Sequence, residues 1–262
     1  MLGAIIGDVV GSVYERNITK EMNFPLFSEK STFTDDTILT IATAKAIIEG
    51  RKDYGWLYKS AALDYIDKGF GREFVEWAKS KDMQPAYNSW GNGSAMRVAP
   101  IGWFFDDIET TIIEAGISAA ATHSHPEGIK GAQSLSSAMF LARNGDSKEQ
   151  IREYVEDRFK YDLSRTIAEI RPTYTFDVSC QGSVPEAIIA FLDSNSYEEA
   201  IRLAISLGGD ADTLACMAGG LAETFYKKVP VMMIEETWNR LPENFHKVVI
   251  DFYNIVDENK KI

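Results

Sequence analysis

Residues 207–226 read LGGDADTLACMAGGLAETFY. A Gly-Gly-Asp turn leads into a run in which Leu214, Ala218, Leu221 and Phe225 recur at helical spacing, with further apolar residues on most other sides. A helix that is apolar around most of its circumference belongs in the middle of a domain. Thr213 to Tyr226 is therefore read as a central helix whose start carries Asp210, Asp212 and Thr213.

A second buried helix is expected at the N-terminus, where the chain is apolar from Leu2 to Val13. A signal peptide or membrane anchor is not indicated, because Asp8 interrupts the run, no basic stretch precedes it, and about 20 apolar residues are needed to span a bilayer. Gly3, Gly7 and Gly11 recur every four residues and so share one helical face, which admits close approach by another backbone. Glycine destabilises an isolated helix, so packing must compensate. Glu15 lies one turn beyond Gly11 and is expected to project from the end of that contact.

Working outward, Thr34-Asp35-Asp36 precedes Ile38, Leu39, Ile41, Ala42, Ala46 and Ile47 at helical spacing, ending at Gly50, with Thr34 or Asp35 as the N-cap. The same periodicity predicts helices over Trp56 to Asp67, Phe70 to Lys79, Ile108 to Ala121, Gly128 to Arg143, Lys148 to Phe159 and Leu163 to Arg171. Others follow at Pro185 to Leu192, Tyr197 to Ser206, Met232 to Asn239 and Phe245 to Val256. No strand pattern competes, and no repeat or linker divides the chain. The expectation is an all-α fold forming one compact multi-helix domain over residues 1–262, with ample apolar material for its core.

The net charge of −12 argues against general nucleic-acid binding and against an anionic membrane, since a polyanionic partner needs a basic surface. Cys180 and Cys216 are far apart and outside any Cys-x-x-Cys or Cys/His spacing, so neither a disulfide framework nor a zinc site is indicated, and a reducing cytoplasm is inferred. A small substrate and a monomeric state are expected.

Two carboxylates and a hydroxyl at the start of a buried helix are costly to bury as bare charges, and hard divalent cations compensate oxygen ligands. Capping accounts equally for either motif alone, because Asp and Thr are common N-caps that suit the helix dipole. The repetition shifts the reading. Thr34-Asp35-Asp36 offers the same set at another helix start, and with Glu15 there are five carboxylates and two hydroxyls, enough for two octahedral ions. Magnesium is the first choice and manganese the second.

Tyr87-Asn88-Ser89-Trp90-Gly91-Asn92-Gly93-Ser94 has the small residues of a loop whose N–H groups approach phosphate oxygens, though an ordinary polar turn looks similar. Trp90 adds a stacking surface for a base, and Arg97 is suited to a phosphate or, equally, to a nearby carboxylate. In Thr122-His123-Ser124-His125-Pro126 a zinc pair lacks a third soft ligand. A hydrogen bond from His123 to substrate and a histidine satisfied at a helix start both remain open, with Pro126 suited to the first turn.

Taken together these segments resemble the ADP-ribosylglycohydrolase family. The resemblance runs the whole length, through Gly3-Ala4-Ile5-Ile6-Gly7-Asp8, Gly11-Ser12-Val13-Tyr14-Glu15, Phe33-Thr34-Asp35-Asp36-Thr37, Gly91-Asn92-Gly93-Ser94-Ala95-Met96-Arg97, Thr122-His123 and Gly208-Gly209-Asp210-Ala211-Asp212-Thr213. It implies an all-α domain with two magnesium ions held by Thr34, Asp35, Asp36, Asp210, Asp212 and Thr213, and Glu15 as a mobile glutamate that also touches a metal. It further implies that Asn88, Ser89, Trp90, Gly91, Asn92, Gly93 and His123 contact ADP-ribose. The Gly-Ser-Val-Tyr-Glu string is closer to the Gly-Ser-Phe-Tyr-Glu form of the branch that hydrolyses O-linked ADP-ribose than to the arginine-specific branch. The implied reaction is hydrolysis of the bond between ADP-ribose and an acceptor, on an ADP-ribosylated protein or a small conjugate, with Glu15 or Asp35 directing the water. Two rivals are weighed against it. A non-catalytic ADP-ribose binder is expected to lack an Asp of the motifs or the glutamate, and this chain retains them; an isoprenoid-synthase-like enzyme needs a further Asp where Leu39 and Thr40 stand.

Overall fold

A computed structural model describes residues 1–259; residues 260–262 of the expected 1–262 domain lie outside the described residues. Among the described residues, fourteen α-helices and one short 3₁₀ turn make up the regular structure, and the only pairing of β type is an isolated bridge between Gly91 and Ser179. The fold is all-α, as the periodicity indicates.

The centre is helix α12 (Ala211–Tyr226), whose residues from Ala211 to Thr224 are all buried. Against it lies α1 (Leu2–Gly11). A Cβ placed on Gly3, Gly7 or Gly11 would stand 2.6, 2.0 or 2.5 Å from the carbonyl oxygens of Gly219, Ala215 and Ala211. The four-residue step of glycines on one helix thus meets a four-residue step of carbonyls on the other, and the two backbones touch. The first helix is shorter than its apolar run: it stops at Gly11, and residues 12–16 continue as turns. Glu15 therefore sits on a turn and not on an extension of the helical face. That turn is pinned, with Ser12 Oγ donating to Val9 O (2.9 Å), Asn17 Nδ2 to Val13 O (2.8 Å) and Tyr14 Oη to Pro25 O (2.5 Å).

Helices α2 (Asp35–Ile48) and α3 (Tyr54–Asp64) flank this pair on one side, followed by α4 (Arg72–Lys79). A short helix that periodicity does not reveal, α5 (Ala99–Phe104), has Pro100 in its first turn; α6 (Ile108–Ala120) and α7 (Pro126–Asn144) follow. Helix α7 ends at Gly145, where φ of 96° demands glycine. Helix α8 (Lys148–Phe159) starts with a Ser147/Gln150 capping box. The helix expected from Leu163 to Arg171 shrinks to α9 (Ile167–Ile170), because Asp162 holds the Ser164 N–H in a local turn (3.0 Å) and Thr166 with Glu169 caps the chain only afterwards.

Helix α10 (Cys180–Asp193) starts earlier than expected, with Pro185 inside it. Ser179 sets that start by accepting the Gly182 N–H (3.1 Å). The series closes with α11 (Tyr197–Ile205), α12, α13 (Val231–Trp238) and α14 (Glu243–Asn259). No helix of the described residues is long and apolar enough to cross a membrane.

The helix pair yields a direct test. Gly7→Ala forces a methyl into the Ala215 carbonyl and is expected to cost more than about 3 kcal/mol, whereas Gly71→Ala, which meets nothing within 4 Å, is expected to cost less than about 1 kcal/mol. Urea denaturation of both variants measures the difference; equal midpoints would refute backbone contact as the determinant.

A candidate metal and substrate site

The starts of α2 and α12 meet beside the last turn of α1, and Asp8 joins all three. Its buried carboxylate accepts the Thr34 N–H (2.9 Å) and Thr37 N–H (3.1 Å) at Oδ2 and the Thr34 hydroxyl (2.7 Å) at Oδ1, with the Thr37 hydroxyl adding a fourth bond to Oδ2. An aspartate from one helix is therefore the cap of another. Burial pushes the Asp8 carboxyl up, and these four donors pull it back.

Because Asp8 does the capping, the residues that look like caps are released from that task. Thr34 is the N-cap of α2 by position, yet its side chain makes no capping bond, and the same holds for Asp210 at the start of α12. Helix capping thus does not account for the two motifs. Their oxygens turn toward one another: Thr213 Oγ1 donates to Asp36 Oδ2 (3.2 Å), and Asp36 Oδ1 is buried without any partner. Asp8, Asp36 and Asp212 each offer a carboxylate oxygen, all within 4.8 Å of one another. Asp35 and Glu15 are partly exposed, and both line the cavity that opens onto this cluster.

No lysine or arginine pairs with any of these carboxylates among the described residues. Burial first, and then the carboxylates of Asp8, Asp210 and their neighbours, push Asp35 and Asp36 well above the usual carboxylate range. Asp212 is pushed up likewise by burial and then Asp210, Asp36, Asp8 and Glu15. Only protons or a cation relieve such crowding, and the unpartnered Asp36 oxygen is a vacant donor position. The donors are all hard oxygens, the set that suits magnesium, manganese or calcium. The Cys216 thiol donates to Met96 O (3.3 Å), and burial first, then the Asp36 and Asp8 carboxylates, push its pKa well up.

The cavity, of about 340 Å³, is bounded further by Gly69, Glu73, Tyr87, Ser89, Gly91, Asn92, Gly93, His123 and Phe176. The 87–94 loop is held to the start of α10 by Asn92 N–H to Val178 O (2.8 Å) and Cys180 N–H to Trp90 O (2.9 Å). Gly91 N–H is taken by Ser89 Oγ (3.0 Å). The expected array of free N–H groups is therefore reduced at Gly91 and Asn92. Asn92 instead aims its side chain at the cluster, donating from Nδ2 to Asp210 Oδ2 (2.7 Å). Asn88 and Trp90 do not line the cavity: Asn88 is exposed with φ of 57°, and Trp90 stands edge-on to His125 with ring centroids 5.5 Å apart. Arg97 meets neither a phosphate site nor a carboxylate, being wholly buried over the Tyr58 ring.

His125 caps α7, its Nδ1 accepting the Glu127 N–H (3.1 Å), whereas His123 lines the cavity, so the two histidines adopt different roles. Asp8, quoted in the Gly3–Asp8 string but given no role by the sequence reading, shows there as a single charge in an otherwise apolar run.

The chain belongs to the ADP-ribosylglycohydrolase family, whose model matches residues 1–254. It is similar to ADP-ribosylhydrolase ARH3 of Homo sapiens, at 26% identity over 95% of this chain and 90% of that protein. It is equally similar to ADP-ribosylarginine hydrolase Tri1 of Pseudomonas putida (strain GB-1), at 26% identity over 98% of this chain and 78% of that one. Among solved structures, an "ADP-ribosylglycohydrolase-related protein complex" shares the fold, with a TM-score of 0.71 and 23% identity over 97% of each chain.

Two outcomes test the cluster. Carboxyls raised in the folded chain take up protons on folding, so metal-free stability falls as pH rises from about 4 through their raised values, and an added divalent cation is expected to raise the melting temperature more at about pH 8 than at about pH 5. An equal rise at both pH values, in calorimetric scans against chelator, would refute cation binding by these carboxylates. Asp8→Asn sets an NH₂ group against donors or loses their charge-assisted bonds, and is expected to cost roughly 3 kcal/mol in denaturation and to weaken magnesium binding.

Proposed function

We propose that the protein hydrolyses the glycosidic bond between ADP-ribose and an acceptor, with two divalent cations, magnesium first and manganese second, at the carboxylate cluster. The observation that carries this reading is the buried Asp36 Oδ1 without a partner, inside a group of like charges that lines the cavity. Thr34, Asp35, Asp36, Asp210, Asp212 and Thr213 would hold the cations, with Glu15 completing the set. Bound there, the cations would neutralise the cluster and orient the ribose hydroxyls.

The remaining work falls to side chains. Glu15, on its pinned turn at the cavity wall, takes a proton from a water aimed at the anomeric carbon, and Asp35 beside it is the alternative base. Asn92 keeps Asp210 in place through its 2.7 Å bond. Asp8 holds the start of α2 through three bonds to Oδ2, while its Oδ1, which accepts only the Thr34 hydroxyl, stays near the Asp36 and Asp212 carboxylates. His123, with Ser89, Gly91 and Gly93, borders the space for ADP-ribose.

Two kinds of acceptor are named by the relatives' own descriptions or by the motif: arginine for Tri1, and an O-linked acceptor on the Gly11–Glu15 string, which we rank first. We further propose a cytoplasmic monomer acting on ADP-ribosylated protein or small conjugates. Purified protein is to be incubated with serine-linked, arginine-linked and acetyl-ester ADP-ribose, with magnesium or with chelator. Chelator-sensitive release of ADP-ribose is expected, and Glu15→Gln is expected to lower it at least about 100-fold while leaving folding intact. Binding without release from any conjugate would replace this reading by a non-catalytic ADP-ribose binder.

A further inference from the structure

A short way along the chain from Glu15, Lys20 Nζ donates to three main-chain carbonyls: Tyr174 O (2.7 Å), Arg171 O (2.9 Å) and Leu207 O. An ammonium carries three hydrogens, so all of them are committed. The three carbonyls lie just beyond the ends of α9 and α11, where helical C=O groups run out of N–H partners and the backbone dipoles are negative, a setting that suits a cation. Two neighbouring cations fasten the residues that follow. Arg202 Nη1 donates to Met22 O (3.1 Å) and Phe24 O (2.9 Å), and Arg171 Nη2 lies 3.4 Å from Met22 Sδ.

What Lys20 fastens is one end of the turn that bears Glu15. The other end is Gly11, where a Cβ would stand 2.5 Å from both Ala211 O and Asp212 Cα. On the Lys20 side the lysine stem and Ile18 cover Gly208, where a Cβ would stand 2.9 Å from Lys20 Cε and 2.8 Å from Ile18 Cγ2. Both ends of the stretch 11–20 therefore rest on one segment, 207–212, which carries Asp210 and Asp212. Tyr174, whose carbonyl Lys20 also holds, lays its ring against the same segment, with Cε1 2.5 Å from a Cβ placed on Gly209. The bonds that Ser12, Tyr14 and Asn17 donate shape the turn but end on residues 9–25 of the same stretch. Residues 16–18, between the turn and its far anchor, are exposed.

We propose that Lys20 is a positioning residue for the hydrolysis: its ammonium clips the Glu15 turn to the segment bearing Asp210 and Asp212, and so holds the glutamate in register with the carboxylate cluster. The inference rests on the ADP-ribose reading for the reaction, and on this chain's own bonds for the clip. Lys20 stands outside the cavity wall, whereas Glu15 lines it, so the lysine acts on turnover through the glutamate and not on the substrate. Three directed bonds fix a position, where a single ion pair would only attract. That matters for a base, because a proton passes only within hydrogen-bond reach, and a shift of about 1 Å can cost on the order of 100-fold in rate.

Lys20→Met keeps the stem over Gly208 and removes the three donors. In the metal-free protein, backbone ¹⁵N order parameters at residues 13–19 are expected to fall from about 0.85 to below about 0.6, with those of α12 unchanged. With magnesium and an ADP-ribosyl conjugate, Lys20→Met is expected to lower kcat at least about tenfold and to leave KM within about twofold. In a Glu15→Gln background the same substitution is expected to change the residual kcat less than about twofold, because the group it positions is gone. Order parameters that stay the same at residues 13–19, a wild-type kcat in Lys20→Met, or an equal loss of kcat in both backgrounds would each overturn the proposal. The order parameters are read without substrate. A turn that loosens in Lys20→Met, in a protein that releases no ADP-ribose from any conjugate, would therefore defeat the proposed reaction and the catalytic role with it, and leave the clip itself standing.

Discussion

The contact between α1 and α12 is made by backbone against backbone, and the positions of the other site elements follow from it. Three glycines remove the side chains that would hold the helices apart, leaving Gly7 close enough that a methyl would stand 2.0 Å from the Ala215 carbonyl oxygen. Each glycine costs α1 roughly 0.5–1 kcal/mol of intrinsic helix stability, so this helix depends on its neighbour for its existence. The gain is placement. Asp8, one residue after Gly7, reaches the start of α2 and lies within 4.8 Å of the Asp36 and Asp212 carboxylates.

Such a gathering of carboxylates is tolerable because of where the helices begin. The N-termini of α2 and α12 bring the positive ends of their backbone dipoles to the cluster, which favours negative charge there. Asp8 meets the exposed N–H groups of α2 and so spares Thr34, Asp35 and Asp36 from doing it. Charge that remains uncompensated is concentrated on Asp36 and Asp212, both buried, and on Asp35 at the cavity wall. Stability is thereby given up where a ligand can return it.

The elements with a clear apolar stripe were legible in the residues: α2, α6, α7, α8, α11 and α12 all lie where periodicity puts them. Errors arose where local side-chain chemistry outweighs periodicity. Pro185 looks like a helix start, but Ser179 has already begun α10; Asp162 delays α9; and α5 is too short to show a period. At the site, Thr34 to Asp36 and Asp210 to Thr213 stood out because each is a compact string. Asp8 did not, because its bonds reach residues 26 and 29 positions away and leave no local pattern. Arg97 misled in the opposite way: its charge suggests an ionic partner, whereas an aromatic face, a carbonyl and a hydroxyl satisfy part of it, at distances in sequence that no motif records.

The glycine-faced helix also has a history during synthesis. Gly3 is bound to Glu223, 220 positions further along. At about 5–20 residues per second, a ribosome needs on the order of 10–40 s to travel that far. Throughout that interval the segment Leu2–Gly11 is apolar, weakly helical and without its mate, and Asp8 has no cluster to join. This segment therefore needs shelter in the nascent chain until α12 is released to receive it.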